Sequence, residues 1–410
     1  MVIKLSQRKQ IGLLLSILLV VITFIIPINR ETLLVINFLV VVLTLIYSKI
    51  SILSLWSVIA NYVIINVYFY DISGIGYGIL GLTQIDFVSM LRYMLVFNVS
   101  LFIWSSATNF VIREKKMLQY SGYNPGKNFS IVCCIIAVAS VVIAFPTIPF
   151  TFTNRFEALL PGNAWNHFAI IALLFVSPNI KKYKFVLMSY IFVIAWLLTH
   201  YERVDVLGLV VALVLVNIVK NAKKKNEIIQ IVKMGILFLV LFILLSFIGE
   251  VRMQSGFSIN NILLKLVTQN TASDVGYIYS IAVDYISEHS LLMGRTYMRY
   301  LVEAIPVLDA SYLETTNILA KTYAVPGGSF ILNEPLMNFG LIGIIIIPNI
   351  YIYIVHCIIK KNNAYRYILF LFLFSTAFRY LWYGLGYIET GILWIIPICF
   401  CIKKVMKRSY

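Results

Sequence analysis

The distribution of charge along this chain constrains its fold more than any other feature. Lys and Arg gather in seven short segments between apolar stretches, and these alternate with segments that hold most of the Asp and Glu. The chain has 410 residues, of which 61% are hydrophobic, a composition that no soluble domain of this length carries. The sequence therefore predicts an all-α polytopic membrane protein.

Twelve stretches are apolar enough to cross a bilayer, which takes about 20 mostly apolar residues. They cover residues 11–28, 33–48, 50–70, 89–112, 129–146, 164–178, 185–199, 205–220, 234–250, 336–359, 367–383 and 388–402. We predict a single integral membrane domain over residues 1–410 with about 12 transmembrane helices.

The same charge pattern orients the chain. If both termini are cytoplasmic, the inner segments hold 23 of the 33 Lys and Arg, as the positive-inside rule requires. Only Glu114 and Glu227, of 17 acidic residues, then fall on the inner side. The net charge of +16 is accounted for by this topology and by attraction to anionic headgroups. We therefore expect membrane lipids as partners and no nucleic acid.

One hydrophilic segment is far longer than the others. Residues 251–335, between spans 9 and 10, form a predicted large outer loop, and loops of this length are uncommon unless they are functional. Apolar spacing within it predicts short helices near 274–288 and 295–305. We expect these helices to lie on or dip into the outer leaflet.

Several familiar reaction signatures do not occur in the sequence. There is no GxxxxGK[ST] phosphate loop, no HExxH motif and no DxD pair on the outer segments. The five cysteines fall in spans or near the inner face, without the spacing of a zinc site. We predict no cofactor, no metal site and no nucleotide dependence.

Ionisable residues crowd the hairpin between spans 7 and 8. His200, Glu202, Arg203 and Asp205 follow one another with almost no loop, at the outer membrane boundary where charge is costly. The functional interpretation is an anion site on Arg203, with Glu202 or His200 as an acid or base. The alternative is a solvated hairpin with a local Glu–Arg pair.

Other arginines on the outer side could also bind an anion. Arg295 and Arg299 share a helix face at i and i+4, and the guanidinium fork matches phosphate oxygens. Arg252 and Arg155 are further candidates, and Arg379 lies inside span 11. The alternatives are pairing with nearby acids for the loop arginines and outward snorkelling for Arg379.

The stretch that leads into span 10 holds a further candidate, Glu334. An alternative interpretation is local: Asn333 caps the helix, Glu334 favours its positive end, and Pro335 suits the first turn. Gly340 and Gly343 would then allow close helix packing.

These motifs, with the loop placed before the last three spans, resemble the O-antigen polymerase (Wzy-type) family of oligosaccharide repeat-unit polymerases. The matches are the Arg-containing hairpin 200–209, the Gly-Arg-Thr-Tyr stretch 294–297 followed by a proline, and 328–343 with its Gly-x-Ser, Glu and Asn-Phe-Gly-x-x-Gly elements. Arg155 with Asn166 is a weaker match. The chain departs from the family at Glu202, where a small residue is usual, and at 335–336, where a Tyr is usual nearby.

The resemblance implies a membrane glycosyltransferase that needs neither metal nor nucleotide. It would move a growing glycan from undecaprenyl diphosphate to an incoming undecaprenyl-diphosphate-linked repeat unit, at the bacterial inner (cytoplasmic) membrane. The resemblance also implies a role in lipopolysaccharide or capsule biosynthesis, and a chain-length regulator protein as a partner. The implied diphosphate ligands are Arg203, Arg295, Arg299, Arg252, Arg379 and Arg155, and the candidates for the base are Glu334, Glu202 and His200.

Two other functions fit the same layout. An O-antigen ligase would favour a His late in the large loop, where the only one is His289, far from the end. A lipid-linked oligosaccharide flippase would place charges mid-span in several helices, where only Arg92 and Arg379 occur.

Overall fold

The computed structural model describes residues 7–74, 86–120, 122–148, 164–200, 202–221, 264, 266–305 and 308–408, together with Ile236, Val240 and Ile243. Over this part of the chain the fold is all-α, and extended pairing is limited to one bridge between Ser329 and Tyr383. The α-helices of the first half are α1 Gln7–Ile25, α2 Arg30–Ser48, α3 Ile52–Ser73, α4 Phe87–Ala107, α5 Phe110–Leu118, α6 Lys127–Ala144, α7 Ala164–Val176, α8 Lys184–Thr199 and α9 Arg203–Asn221.

The second half holds one long helix among shorter ones. Its α-helices are α10 Asn270–Glu288, α11 Met298–Glu303, α12 Thr315–Leu319, α13 Asn333–Ile359, α14 Ala364–Ser375, α15 Ala377–Tyr383, α16 Gly386–Thr390 and α17 Ile396–Arg408. A π-helical turn over Gly391–Ile395 joins α16 to α17, and a 3₁₀ turn over Arg295–Tyr297 leads into α11.

Among the described helices, five are long and apolar enough to cross a membrane: α2, α3, α4, α6 and α13. Helices α8 and α14 are shorter apolar helices. Several helices of this kind in one chain define a multi-pass membrane protein. The predicted span 234–250 lies outside the described residues, apart from three positions.

Two predicted spans are interrupted in the structure. The span predicted over 89–112 ends at Ala107, because Thr108 is extended and its hydroxyl bonds back to the Trp104 carbonyl. The span predicted over 367–383 breaks at Thr376, whose hydroxyl donates to the Phe372 carbonyl 2.7 Å away. Thr side chains that bond back into the preceding turn bend helices, and hydropathy alone does not report this effect.

The chain divides into two compact units. Unit 1 comprises Met1–Lys115, Val267–Cys357 and Leu381–Gly384. Unit 2 comprises Lys116–Leu266, Ile358–Tyr380 and Leu385–Tyr410. Among the described residues, each unit holds a cluster of ionisable side chains joined by hydrogen bonds.

Three asparagines link α2, α3 and α4 inside unit 1. The Asn98 amide donates to Asn37 Oδ1 at 2.9 Å and to Asn61 Oδ1 at 3.1 Å. Asn61 Nδ2 returns a bond to Asn98 Oδ1 at 2.8 Å, and at most 4% of any of the three residues is exposed. Because each amide finds partners, this buried polar network fixes the register of the three helices.

Helix α10 belongs to the core of unit 1. Every residue from 272 to 283 is buried, and α10 packs against α3 and α4. A Cβ on Gly276 would lie 2.2 Å from a Val67 methyl group of α3, so only glycine permits this approach. The Tyr70 hydroxyl of α3 donates to the Thr268 carbonyl at 2.8 Å and ties down the start of α10.

In unit 2, close packing of α9 on α14 positions the start of α9. A Cβ on Gly208 would lie 1.7 Å from the Ser375 carbonyl oxygen, which no other side chain could tolerate. This contact lies about one helical turn after Asp205, so it holds the ionisable end of α9 near the break at Thr376.

Candidate functional site

The cluster in unit 2 is built around Arg379, and we call it the arginine cluster. The Arg379 guanidinium donates from Nε to Asp205 Oδ1 and from Nη2 to Asp205 Oδ2, each at 2.9 Å. The same Nη2 also binds the Glu202 carboxylate. These carboxylates therefore occupy the Nε and Nη2 donors of the guanidinium. Because Arg379 is only 6% exposed, its side chain does not snorkel outward.

A second motif of the sequence joins the arginine cluster. Asn166, near the start of α7, donates through Nδ2 to Asp205 Oδ2. His167 follows it, is 5% exposed, and its Nδ1 has no hydrogen-bond partner among the described residues. The stretch around Asn166 and the hairpin before α9 were separate predictions, and Asp205 connects them.

The other two ionisable residues of the hairpin differ in burial. His200 is fully buried, and its ring nitrogens lie 2.7 Å from the Trp196 carbonyl oxygen and 2.9 Å from that of Thr147. Arg203 is half-buried at the first position of α9. Of this group, Arg203 is the side chain best placed to meet a ligand.

The cluster in unit 1 surrounds Glu334, and we call it the glutamate cluster. The Thr296 hydroxyl donates to Glu334 Oε1 at 2.7 Å, and the Tyr300 hydroxyl donates to Oε2 at 2.7 Å. Asn338, one turn after Glu334 on α13, donates through Nδ2 to Thr296 Oγ1 at 2.6 Å. Glu334 itself is partly exposed.

Hydrogen-bond direction is defined throughout the glutamate cluster. Because Asn338 Nδ2 can only donate, Thr296 accepts this bond and turns its own proton to Glu334. Burial and the Glu334 carboxylate raise the pKa of Tyr300 well above its ordinary value, so the phenol also remains a donor. Glu334 thus receives two neutral donors and keeps further lone pairs for a ligand.

A break in α13 brings the two motifs together. Gly340 has φ +59° and ψ −142°, which interrupts the helix after its first two turns. The freed carbonyls of Met337 and Asn338 accept the backbone N–H groups of Leu292 and Met293 at 3.0 and 3.1 Å. These bonds hold the segment before Thr296 against α13. The asparagine-phenylalanine-glycine motif, residues 338–340, therefore provides the helix break that allows this contact.

Gly294 is required at the turn that follows. It has φ +85°, and a Cβ there would lie 3.3 Å from the Phe339 ring. The 3₁₀ turn starts immediately afterwards and directs Thr296 to Glu334. Glycine is the residue that adopts positive φ without strain, which accounts for its place before Arg295.

The two loop arginines have different environments. Arg299 binds Glu303 at 2.8 Å and Glu314 at 3.2 Å, and its side chain is 19% exposed. Burial lowers the pKa of Arg299, but the charges of Glu314 and Glu303 outweigh it and raise the pKa above the ordinary value. Arg295 is exposed and makes no ion pair with the described residues, which leaves its guanidinium open to an anion.

The capping role considered for Asn333 is wrong. The first helical bond of α13 runs from the Leu336 N–H to the Leu332 carbonyl, so Leu332 occupies the N-cap and Asn333 lies inside the helix. Both side-chain polar atoms of Asn333 are buried and have no hydrogen-bond partner in the part of the chain that the structure describes. Glu334 does lie in the first turn, where its charge suits the positive helix end.

The predicted residues therefore divide among three groups. Glu334, Arg295 and Arg299 belong to unit 1, while Glu202, His200, Arg203 and Arg379 belong to unit 2. Arg155 and Arg252 lie outside the described residues. Sequence reasoning missed the roles of five residues that complete the clusters, although each lies inside a motif or a predicted helix that it had singled out: Asp205, Asn166, Thr296, Tyr300 and Asn338.

No protein-family model, curated protein or solved structure matches this chain. Within the described residues, no group of three or more His, Cys, Asp or Glu side chains could hold a metal ion.

The two clusters differ in what they can do chemically. A carboxylate that is partly exposed and held by two neutral hydroxyl donors can accept a proton from a bound hydroxyl group. Two buried carboxylates that share one buried guanidinium form a rigid anchor. The glutamate cluster is therefore the stronger candidate for chemistry.

Proposed function

We propose that this chain polymerises lipid-linked oligosaccharide repeat units into a surface polysaccharide. It transfers the growing glycan from undecaprenyl diphosphate to an incoming repeat unit that is itself linked to undecaprenyl diphosphate. One observation carries the proposal: Thr296, from the Gly-Arg-Thr-Tyr stretch 294–297, and Tyr300, three residues after that stretch, both donate to Glu334. Two stretches that resemble the Wzy-type family thereby form one site with an acid–base group and an arginine.

Glu334 acts as the base in this proposal. The hydroxyl oxygen of the acceptor sugar forms a bond to the anomeric carbon of the growing glycan, and Glu334 takes the hydroxyl proton. The bond between that carbon and the diphosphate oxygen breaks, and undecaprenyl diphosphate leaves with the electron pair. A positioned base of this kind contributes about 10²- to 10⁴-fold in rate.

Arg295 is the best-placed group to stabilise the diphosphate that leaves. Its guanidinium is exposed and makes no ion pair with the described residues, and it adjoins Thr296 in the chain. Arg299 would have to share its bonds with Glu303 and Glu314 to serve the same purpose. Arg203, half-buried at the start of α9, is the corresponding candidate in unit 2.

The proposal extends to the finer topology and location. We propose about twelve spans, both termini in the cytoplasm, and the segment 251–335 on the outer side of the bacterial inner membrane. A chain-length regulator is the protein partner that such a polymerase would have.

The test is a gel profile of the surface glycan from cells that lack this protein. Polymerase function predicts single repeat units on the usual acceptor and no ladder of longer chains. Loss of surface glycan with lipid-linked polymer accumulating would instead identify a ligase. Single lipid-linked units trapped at the inner face would identify a flippase and overturn the roles given to Glu334 and Arg295.

A further inference from the structure

The described residues 290–305 and 308–312 carry an apolar surface that we call the loop patch. It consists of large apolar side chains that are each at least half exposed: Met293, Met298, Leu301, Ile305 and Leu308. Leu301 is 67% exposed and Met293 is 75% exposed, values that are unusual for such residues outside a contact surface.

Helix α11 carries residues of the loop patch on one face and residues that contact the glutamate cluster on the other. Met298 and Leu301 lie three positions apart on one face of α11, and exposed Ile305 follows just after the helix ends at Glu303. The opposite face carries Tyr300, which binds Glu334, and Arg299, which binds Glu303 and Glu314. This is the amphipathic pattern of a helix that lies in an interface.

The position of α11 indicates what covers the patch. Thr296 and Tyr300 bind Glu334 in the first turn of α13, a helix long and apolar enough to cross a membrane. Helix α11 therefore lies at the end of α13 where the chain meets the bilayer surface. Exposed apolar residues continue along α13 itself, with Ile342 65% exposed and Ile345 46% exposed.

We infer that the loop patch inserts into the lipid surface at this end of α13. The face of α11 that carries Leu301 lies among the upper acyl chains, about 5–10 Å deep as in other interfacial helices. Exposed Arg295 then lies at the level of the phosphate headgroups. Because Tyr300 belongs to the same short helix, membrane insertion sets the depth of Glu334. The inference does not depend on the reaction proposed for that residue.

Spin labelling of the full-length protein in nanodiscs tests this placement. After replacement of the five native cysteines, a spin label is introduced singly at Leu301→Cys, at Met298→Cys and, as a matched control, at Lys321→Cys. Lys321 is exposed and polar and lies outside the patch. Relaxation by oxygen, which concentrates in lipid, is compared with relaxation by a water-soluble nickel chelate, in discs of phosphatidylethanolamine and phosphatidylglycerol.

Insertion predicts strong relaxation by oxygen and weak relaxation by the nickel chelate at 298 and 301, with the reverse at 321. Equal access of the nickel chelate to 301 and 321 would overturn the inference, because the patch would then face water. Protection of 298 and 301 from both reagents would also overturn it and would indicate a protein surface, from a second copy or another partner.

Discussion

Arg379 holds Asp205 and Glu202 through a charged guanidinium, whereas Thr296 and Tyr300 hold Glu334 through neutral hydroxyl groups. The buried guanidinium supplies a countercharge, so the arginine cluster gains rigidity and loses freedom to take up a proton. Hydroxyl donors orient a carboxylate without neutralising it. The comparison teaches that one chain can hold carboxylates in two ways, with a buried countercharge at one place and with neutral hydroxyl donors at the other.

Replacing Glu334 tests the chemical side of this comparison most strongly. In Glu334→Gln the side chain keeps its size but loses the base, so we expect polymerisation to fall about 10²- to 10⁴-fold. The measurement is chain growth from lipid-linked repeat units in proteoliposomes. Glu303→Gln is the matched control, since Glu303 binds Arg299 in the same segment. A near-normal rate in Glu334→Gln would remove the base from the proposal.

Arg203 tests whether the arginine cluster supports a ligand-binding residue. We expect Arg203→Ala to lower polymerisation about 10²- to 10³-fold, the usual loss when a group that stabilises developing negative charge is removed. Membrane insertion should remain normal. Arg203→Lys keeps the charge without the planar fork and should be intermediate. Wild-type chain lengths from a well-inserted Arg203→Ala protein would refute an anion site at this position.

Arg379 tests the anchoring side. Arg379→Met removes the guanidinium that both buried carboxylates, Asp205 and Glu202, bind, so we expect a loss of about 3–5 kcal/mol in the free energy of unfolding. Thermal unfolding in nanodiscs measures it. Arg299→Met is the control and should cost less, because its side chain is 19% exposed against 7% for Arg379. Adding Glu202→Gln and Asp205→Asn should restore most of the stability, and no recovery would contradict the anchor role.

The carboxylate of Glu114, on α5, is buried and is held in a third way, by a backbone N–H group. It is 1% exposed, and Oε1 accepts the Ile52 N–H at 2.7 Å, while Oε2 has no hydrogen-bond partner among the described residues. Burial raises its pKa from the ordinary 4.5 to about 8. The folded state therefore retains a proton that the unfolded state has released.

Stability should consequently fall as pH rises from about 4.5 to about 8, with a slope from this group of up to about 1.4 kcal/mol per pH unit. Glu114→Gln keeps an oxygen acceptor for Ile52 and should flatten this part of the stability–pH curve. Unfolding measured across this range checks the sign, and an unchanged slope would contradict it. Such a result would show that Glu114 is ionised in the folded protein.

The smallest expected effect concerns the link between Asn338 and Glu334. Thr296→Val removes the hydroxyl that joins them, and the loss of one hydrogen bond to a charged group should slow polymerisation about tenfold. Thr322→Val, at an exposed position, is the control. If both variants polymerised at the wild-type rate, Thr296 would not position the carboxylate.

Hydropathy and charge alternation were enough to predict an all-α membrane protein and most helix positions. They did not predict the break at Thr376 or the one at Gly340. The first involves a hydrogen bond from the Thr376 hydroxyl to the preceding turn, and the second involves backbone hydrogen bonds to a distant loop. The periodicity of 295–305 did predict a helical segment, which appears as a 3₁₀ turn followed by α11. Helix type and exact length depend on packing that a pattern does not report.

The site residues were found as motifs rather than as contacts. Arg379 and Asp205 are 174 positions apart, and nothing local in either stretch indicates that they pair. Glu334 and Thr296 are 38 positions apart, and they meet because α13 breaks and releases carbonyls for the loop. Residue types alone therefore pointed to charged candidates, while the neutral donors that decide their chemistry emerged only from the fold.

The asparagine network of α2, α3 and α4 has a consequence for how the chain is made. Asn98 alone on its helix would expose an amide to lipid, and only Asn37 and Asn61 together satisfy its donors and acceptor. Each interhelical bond of this kind is worth about 0.6 kcal/mol in a bilayer, so a pair of helices gains little and the trio gains several bonds at once. We expect the three helices to leave the insertion machinery as a group, so that α2 remains there until α4 has been synthesised. A ribosome stalled before α4 should leave α3 easily extracted from the membrane.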